Sequence, residues 1–353
     1  MITYHVILSL LILFSILERF NLLLSRYVPI FFSFIFVLLF TSLRGDVGQD
    51  TSNYLEIYNN LESNKQHLES GFYYLSNTLK YFNFSFNGFL FFIGVVSLVF
   101  YFVSIYKFVG FGLIVFSFMI IFCDIYIYFN MSGLRQGIAL SISLLSGYYA
   151  YKGHLFKFLI CFIISILFHS SAVVTLLFFP LFKFNIKYNI KFIFYCFIFV
   201  LTWVFVLQYL ISNVALASGI KGSSMYLSNS YNEFSMSAYA VGIIRRIYPI
   251  FIVLLFYSSL SDDKLTMRIF NVYLFGFCVY LVNYPMLQDV TVRISSYFIM
   301  FEAVLISCVI SRLKSRFNIV SIVIFVLILI YFKVFSYANL ESFQYRFMDG
   351  IFY

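Results

Sequence analysis

The sequence predicts an all-α polytopic integral membrane protein with about 12 transmembrane helices. Of its 353 residues, 63% are hydrophobic and only 10% are charged, whereas soluble domains are about half apolar and a quarter charged. Apolar runs long enough to cross about 30 Å of hydrocarbon recur along the whole chain. No stretch between them is long enough for a separate globular domain. We therefore expect a single transmembrane domain over residues 1–353.

The apolar runs define the candidate spans. The first run lacks a charged segment before it and a small-residue cleavage site after it, so it predicts a helix rather than a removed signal peptide. The stretch 155–184 is long for one helix and short for two, and lysines flank it on both sides, so we expect a turn near His169. The spans are roughly 2–17, 27–43, 88–106, 111–129, 134–151, 155–169, 171–184, 191–212, 241–260, 269–286, 291–310 and 318–336.

The distribution of lysine and arginine predicts the orientation. These residues concentrate in short loops on one face, which should be cytoplasmic. Both termini then lie outside, with two long outer loops at about 44–87 and 213–240. The first loop holds an acidic segment and an amphipathic stretch, 72–82, that we expect at the membrane interface. Since these loops and anion sites account for the net charge of +9, the expected partner is the bilayer and not nucleic acid.

Arginines stand out on the predicted outer face, where the fewer lysines, Lys333 among them, lie in loops or near helix ends. A guanidinium group binds phosphate or carboxylate through two parallel hydrogen bonds. Helix N-termini also attract anions, and four of these arginines lie near such ends: Arg135, Arg245, Arg246 and Arg293. The alternative is contact with lipid headgroups. Adjacent helical residues are about 100° apart, so we do not expect Arg245 and Arg246 to face one site.

Two polar clusters could carry chemistry. The segment 42–54 has two glycines that permit tight turns after a helix, and Asp50 with Thr51 could cap a following short helix. The segment is either such a capped turn or a loop that binds sugar or phosphate, with Asp50 as ligand or base. His169, beside two serines, is either a general base or a helix cap.

Three acidic residues are placed near or within predicted spans. Asp124 and Glu302 lie inside spans, where acids are usually functional or paired, although Asp124 could also lie at a polar interface. Asp289 precedes Arg293 by four residues and could form an ion pair with it on a helix. The five cysteines lie in apolar segments without metal-like spacing, so we expect neither a metal site nor a cofactor.

Three motifs, in this order and at predicted outer helix ends, resemble the EpsG family, which belongs with the Wzy-type polymerases of O-antigen and exopolysaccharide. They are Arg44-Gly-Asp-Val-Gly-Gln-Asp50-Thr51-Ser-Asn-Tyr54, Gly133-Leu-Arg135-Gln136-Gly-Ile-Ala139 and His169-Ser-Ser171-Ala172. In the second half of the chain, only Arg246 and Arg293-Ile-Ser-Ser-Tyr297 support the resemblance.

The resemblance implies a GT-C-like membrane glycosyltransferase of the bacterial plasma (inner) membrane. Such an enzyme polymerises undecaprenyl-pyrophosphate-linked oligosaccharide repeat units into O-antigen or surface polysaccharide at the periplasmic or outer face. Donor and acceptor are both lipid-linked, and a polysaccharide chain-length regulator is a candidate further partner.

The resemblance also implies roles for individual residues. Arg135, Arg246 and Arg293 would stabilise the pyrophosphate leaving group. His169 or Asp50 would take the proton of the acceptor hydroxyl. The remaining candidates for contact with pyrophosphate or sugar are Arg44, Tyr54, Gln136 and Arg245.

Other classes share many of these features. A flippase or transporter for lipid-linked oligosaccharides would also be polytopic with arginines for pyrophosphate, but it should show two related halves and charges at midplane depth. An O-antigen ligase or another lipid-linked glycosyltransferase would share nearly all of them, and a membrane acyltransferase could also use a histidine. Arginines clustered at the outer face favour an enzyme with a pyrophosphate donor.

Overall fold

The computed structural model describes residues 2–23, 25–184, 202 and 235–347. These residues are largely helical, and the β-structure among them is an isolated antiparallel bridge between Arg44 and Phe347. The chain forms two compact units. Unit 1 comprises Met1–Phe179 and Glu302–Tyr353, and unit 2 comprises Pro180–Phe301. A single transmembrane domain over the whole chain stays a prediction.

The helices of the first half follow each other closely. In the fourth predicted span, 111–129, an α-helix over Ile114–Ile121 continues as a π-helix over Phe122–Asn130. The α-helix over Leu155–Phe168 is followed by a 3-10 helix over Ser170–Leu177. The α-helices are α1 (Ile2–Phe20), α2 (Tyr27–Ser42), α3 (Thr51–Asn59), α4 (Leu61–Asn64), α5 (Ser70–Tyr81), α6 (Phe86–Val109), α7 (Ile114–Ile121), α8 (Leu134–Lys152), α9 (Leu155–Phe168) and α10 (Phe178–Leu181).

The second half continues from residue 235. Its α-helices are α11 (Met236–Leu255), α12 (Tyr257–Leu260), α13 (Lys264–Asn283), α14 (Gln288–Ile299), α15 (Glu302–Arg312) and α16 (Arg316–Ala338), followed by a 3-10 turn at Glu341–Phe343.

Within the described ranges, six helical segments are long and apolar enough to cross a membrane: Ile2–Phe20, Phe86–Val109, Met236–Leu255, Lys264–Asn283, Gln288–Arg312 and Arg316–Ala338. Four shorter apolar segments accompany them: Tyr27–Ser42, Ile114–Asn130, Leu155–Phe168 and Ser170–Leu181. The expected span at 191–212 and most of the expected loop at 213–240 lie outside the described residues. The count of about 12 helices and the orientation therefore stay predictions.

The turn near His169 is confirmed. Helix α9 ends at Phe168, and His169 has an extended backbone with φ −157° and ψ 124°. The rings of Phe158 and Phe179, which lie on either side of the turn, have centroids 5.5 Å apart. Since their separation in sequence is about that of a full span, this contact requires the chain to fold back on itself.

The long outer loop expected at 44–87 is largely helical in the structure, as α3, α4 and α5. Helix α5 is amphipathic as expected: Phe72 and Leu79 are 1% and 5% exposed, whereas Tyr74 and Tyr81 are 65% and 81% exposed. Its buried face packs with residues of α3, α6, α8 and α9 in one apolar cluster. The loop is therefore a folded layer against the helix ends of unit 1.

A buried acid links helix α1 to the start of α7. Glu18 of α1 is fully buried, and its carboxylate accepts hydrogen bonds from the backbone N–H groups of Gly112, Ile114 and Val115 at 2.7, 3.1 and 2.9 Å. N–H groups at the start of a helix such as α7 have no acceptor within the helix itself. Glu18 thus caps α7 from a different helix.

A buried ion cluster lies in unit 1. Lys333 of α16 is 3% exposed, and its Nζ lies 2.9 Å from Glu302 Oε1 and 3.1 Å from Asp124 Oδ2. The Tyr337 hydroxyl donates to Asp124 Oδ1 at 3.1 Å. The expectation that these acids are paired is confirmed. Lys333 lies near the end of α16, as expected, but it is buried, because two buried carboxylates require a buried cation.

Candidate functional site

Arg135, the second residue of α8, forms the central contact of the candidate site. Its Nη1 lies 2.7 Å from Oε2 of Glu69, the residue before α5, and the side chains are 26% and 19% exposed. An ion pair that is partly shielded from water is stronger than a fully exposed one. The guanidinium is therefore held in place at the start of α8 by a residue of the folded layer.

Tyr54 of α3 holds a second edge of the same guanidinium. Arg135 Nε donates to the Tyr54 hydroxyl at 3.4 Å, and the guanidinium carbon lies 6.0 Å from the centre of the Tyr54 ring. Tyr54 is only 6% exposed. Burial raises the pKa of its hydroxyl above the ordinary value, and the charge of Arg135 acts in the opposite direction. The phenol is therefore a neutral partner of Arg135 at pH 7.

The hairpin at His169 joins this group through Glu69. Glu69 Oε1 accepts a hydrogen bond from the backbone N–H of Ser170 at 3.3 Å. His169 Nδ1 accepts from the backbone N–H of Ser171 at 3.3 Å and lies 2.7 Å from the Ser171 hydroxyl. The role of His169 as a helix cap is confirmed. In the neutral ring that makes this contact, the proton is carried by Nε2.

The first motif packs directly against the turn before α8. Gly48 has φ +106°, and a Cβ atom there would lie 2.2 Å from the carbonyl oxygen of Met131. The Thr51 hydroxyl contacts the carbonyl oxygens of Val47 at 2.5 Å and Met131 at 3.4 Å. Only glycine fits this backbone conformation and this close approach. The glycine thus brings the Asp50 segment and the Arg135 turn together.

Two further predicted site residues flank this group. Asp50 stands at the N-cap position of α3, although its side chain makes no capping hydrogen bond, and it interacts electrostatically with Tyr54. Gln136 follows Arg135 on α8 and is 2% exposed. The structure thus places Asp50 beside the Tyr54–Arg135 contact and Gln136 within the packed helices.

Arg44, whose backbone forms an isolated bridge with Phe347, is almost fully buried. It is 1% exposed, and its Nη1 donates to the backbone oxygen of Asn130 at 3.3 Å. The backbone around it pairs with the C-terminal segment, since Gly45 N–H donates to Arg346 O at 2.9 Å and Gly48 N–H to Ser342 O at 2.7 Å. Burial lowers the pKa of Arg44 to about 10, so the guanidinium remains charged at pH 7.

Unit 2 contains the other predicted arginines. Arg246 lies over the ring of Tyr280, with its guanidinium carbon 4.3 Å from the centroid, and donates to the carbonyl of Gly242 at 3.0 Å. Arg293 Nε lies 2.9 Å from Asp289 Oδ2, which confirms the expected pair. Arg245 is half-buried on α11. The expectation that Arg246 and Arg293 share one site with Arg135 stays a prediction.

Sequence reasoning missed two residues of unit 1. Glu69 was treated only as part of an acidic loop, although it stands directly before the amphipathic stretch that became α5. Asn130, which contacts Arg44, directly follows the predicted span 111–129 and was not singled out. A polar residue just before an interfacial helix or at the end of a span was the available signal for each.

The helices and this group of polar residues at their ends define the class as a polytopic helical membrane protein with a charged site at the ends of its helices. The sequence model of the EpsG family matches residues 27–347. The chain therefore belongs to the EpsG family, whose members are similar to Wzy-type polymerases. Comparison with curated proteins and with solved structures finds no match.

Proposed function

We propose that this protein is a GT-C-like glycosyltransferase that polymerises undecaprenyl-pyrophosphate-linked oligosaccharide units at the outer face of the bacterial plasma membrane. The observation that carries the proposal is the convergence of three separate sequence segments on one guanidinium. Tyr54 and Glu69 hold Arg135 in unit 1, and the hairpin at His169 is joined to the same carboxylate.

The chemistry of the proposed reaction requires a cation where the leaving group departs. An acceptor hydroxyl oxygen attacks the anomeric carbon of the donor sugar, the bond from that carbon to the pyrophosphate oxygen breaks, and undecaprenyl pyrophosphate leaves with the electron pair. Positive charge fixed in advance beside the developing negative charge lowers the barrier without reorganisation. Arg135 meets this condition, since Tyr54 and Glu69 hold its Nε and Nη1 and leave Nη2 to a ligand.

The proton of the acceptor hydroxyl requires a base. Asp50 is half-buried, lies one helical turn before Tyr54 and makes no capping hydrogen bond, so we assign it this role. His169 uses Nδ1 as a cap, and its contribution is to position the hairpin whose Ser170 N–H orients Glu69. Arg246 and Arg293 of unit 2 are proposed as further contacts with pyrophosphate, and Arg44, Gln136 and Arg245 as contacts with pyrophosphate or sugar.

Deletion of the gene in its native host tests the function, with surface polysaccharide examined by gel electrophoresis. Loss of a polymerase should leave single repeat units attached to the carrier or acceptor, and the wild-type gene should restore the ladder. Complementation with Arg135→Gln should fail, whereas Arg316→Gln, which removes an exposed arginine of the same unit, should restore the ladder. A full-length ladder in the deletion strain would exclude the proposed polymerase function.

A lipid-linked oligosaccharide flippase is the second candidate, and one observation favours it. The cluster of Lys333, Glu302 and Asp124 places ionisable groups inside the membrane domain, as ion-coupled transporters require. Loss of a flippase should leave essentially no repeat units at the surface, so the same gel separates the two functions. Loss of an O-antigen ligase would instead leave polymer that is not transferred to its final acceptor.

A further inference from the structure

Within the described ranges of unit 1, three buried side-chain nitrogen donors have no hydrogen-bond partner. Two belong to the guanidinium of Arg44, Nε and Nη2, and the third is Nδ2 of Asn130. Arg44 is 1% exposed and Asn130 is 4% exposed. The two residues are in contact, because Arg44 Nη1 donates to the Asn130 backbone oxygen at 3.3 Å. Arg44 forms no ion pair within the described ranges. The result is a buried cation beside buried donors and no carboxylate.

Such a set of groups points to an anion. Buried polar groups in folded proteins nearly always find a hydrogen-bond partner, and the exceptions call for a specific explanation. A neutral acceptor would satisfy one donor at a time and leave the charge uncompensated. A phosphate-type anion has several acceptor oxygens and matches the planar fork of a guanidinium group.

Space beside Asn130 is created by the second motif. A Cβ atom at Gly137 of α8 would lie 2.8 Å from Cγ and Nδ2 of Asn130. Gly137 therefore lets the amide side chain lie against α8 instead of being displaced from it. The motif that carries Arg135 thus also sets the position of the Asn130 side chain, and the backbone oxygen of Asn130 accepts the hydrogen bond from Arg44.

The C-terminal segment 342–347 covers Arg44. It is held by backbone hydrogen bonds to Gly45 and Gly48. Its Tyr345 stacks on Phe40 with ring centroids 4.7 Å apart and donates to the Phe40 carbonyl at 2.8 Å. The segment lies beyond the end of α16, and residues 344–347 are not helical. Phe343 anchors the segment, because it is fully buried and its carbonyl accepts a hydrogen bond from the Tyr4 hydroxyl at 2.8 Å, whereas Gln344, Arg346 and Phe347 are exposed. A cover made of this segment would therefore turn about Phe343.

We propose that Arg44 and Asn130 form a binding site for a phosphate-type anion, and that residues 342–347 are the cover that must move for the anion to enter. The proposal extends the proposed function, because pyrophosphate is the charged group of its lipid-linked substrates. A phospholipid headgroup carries the same chemistry. Binding and cover movement can be measured without turnover. Failure of this proposal can therefore be distinguished from failure of the proposed polymerase function.

A cross-link tests the cover. Gly45 and Arg346 lie opposite each other in the pairing around the Arg44–Phe347 bridge, so the full chain with Gly45→Cys and Arg346→Cys should form a disulfide. In phosphatidylcholine nanodiscs, inorganic pyrophosphate should slow disulfide formation at least fivefold by holding the cover open. Once oxidised, the variant should bind labelled pyrophosphate at least tenfold more slowly, and dithiothreitol should reverse the effect.

Variants at the site test the ligand. In the same cysteine pair, Arg44→Gln should abolish the effect of pyrophosphate on cross-linking, and Asn130→Leu should weaken it. Arg316→Gln, which removes an exposed arginine elsewhere in unit 1, is the matched control and should leave the effect intact. Nanodiscs with phosphatidylglycerol should reproduce the slowing without pyrophosphate if the site takes lipid headgroups, and should leave the cross-linking rate unchanged if it takes pyrophosphate.

Two results would overturn the proposal. One is a cross-linking rate that neither pyrophosphate nor phosphatidylglycerol changes in the variant with Arg44 intact. The other is an Arg44→Gln variant that responds to either anion as strongly as its parent does. Because the first result is obtained with Arg44 and Asn130 unaltered, it does not depend on whether Arg44→Gln folds.

Discussion

Arg135 and Glu69 form an ion pair of 2.7 Å between the start of α8 and the residue before α5, although 66 positions separate them in sequence. Glu69 also accepts from Ser170 N–H of the hairpin. One carboxylate therefore connects three elements: the folded layer, the N-terminus of α8 and the hairpin. Disturbing either partner should affect the geometry of the whole group.

Arg135→Lys should reduce polymerisation at saturating substrate by about 10²–10³-fold, the usual effect of removing a positioned donor to a developing anion. Lysine keeps the charge but cannot contact Tyr54 and Glu69 through two fixed nitrogens. The rate is measured with purified protein and lipid-linked repeat units. Lys152→Arg, at the opposite end of α8, is the control and should leave the rate unchanged. Full activity of Arg135→Lys would show that charge alone suffices.

His169→Asn should retain most of the activity, because asparagine is a good helix cap and can accept the Ser171 N–H bond. His169→Leu should lose both the cap and the activity. The comparison uses initial polymerisation rates of the two variants at equal expression. A loss of about 10²-fold or more in His169→Asn, with normal thermal unfolding, would instead indicate that the imidazole acts as a base.

Gly48→Ala should destabilise the protein by about 2 kcal/mol or more, since alanine there combines a left-handed backbone with a clash against the Met131 carbonyl. Gly153→Ala is the matched control: Gly153 has a left-handed backbone with φ +73° and ψ 15°, but a Cβ atom there meets nothing within 4 Å. Its destabilisation should be about 1 kcal/mol. Thermal unfolding in detergent, followed with a thiol-reactive dye that labels Cys123 and Cys308 when they become exposed, measures both. Equal shifts would mean that the contact with Met131 contributes nothing.

Lys333→Met should destabilise the fold by about 3–5 kcal/mol, because it leaves the carboxylates of Asp124 and Glu302 buried without their cation. Lys314→Met, an exposed lysine in the neighbouring loop, should change the melting temperature little. Adding Asp124→Asn and Glu302→Gln to Lys333→Met should recover much of the loss. If the triple variant is stable but surface polysaccharide is lost, the cluster has a role beyond packing.

Excess EDTA should leave polymerisation by the purified enzyme unchanged, because fixed guanidinium groups supply the positive charge at the leaving group. The control is a metal-dependent nucleotide-sugar transferase in the same buffer. Loss of activity that Mg²⁺ or Mn²⁺ restores would show that a divalent cation shares this task.

Sequence patterns predicted the elements of the site better than their contacts. Hydropathy and flanking lysines predicted the turn at His169, because a span that is too long must break where polar residues occur. Periodicity predicted α5 from its buried and exposed faces. The partners of Arg135 could not be found in this way, since an ion pair between distant segments leaves no local pattern in either one.

The same limit applies to the buried groups. Lys333 was expected in a loop or near a helix end, and only its contact with Asp124 and Glu302 explains its burial. The cover over Arg44 depends on pairing between the beginning and the end of the chain, which hydropathy does not encode.

The Tyr4 hydroxyl donates to the carbonyl of Phe343, 339 residues later in the chain, at 2.8 Å, and the Arg44 loop pairs with the same late segment. Ribosomes add about 5–20 residues per second, so the early helices wait roughly 20–70 seconds for these partners. During that interval the guanidinium of Arg44 has no cover. Completion of its site thus requires that synthesis has reached residues 342–347, and a chain released before that point would carry this cation uncovered.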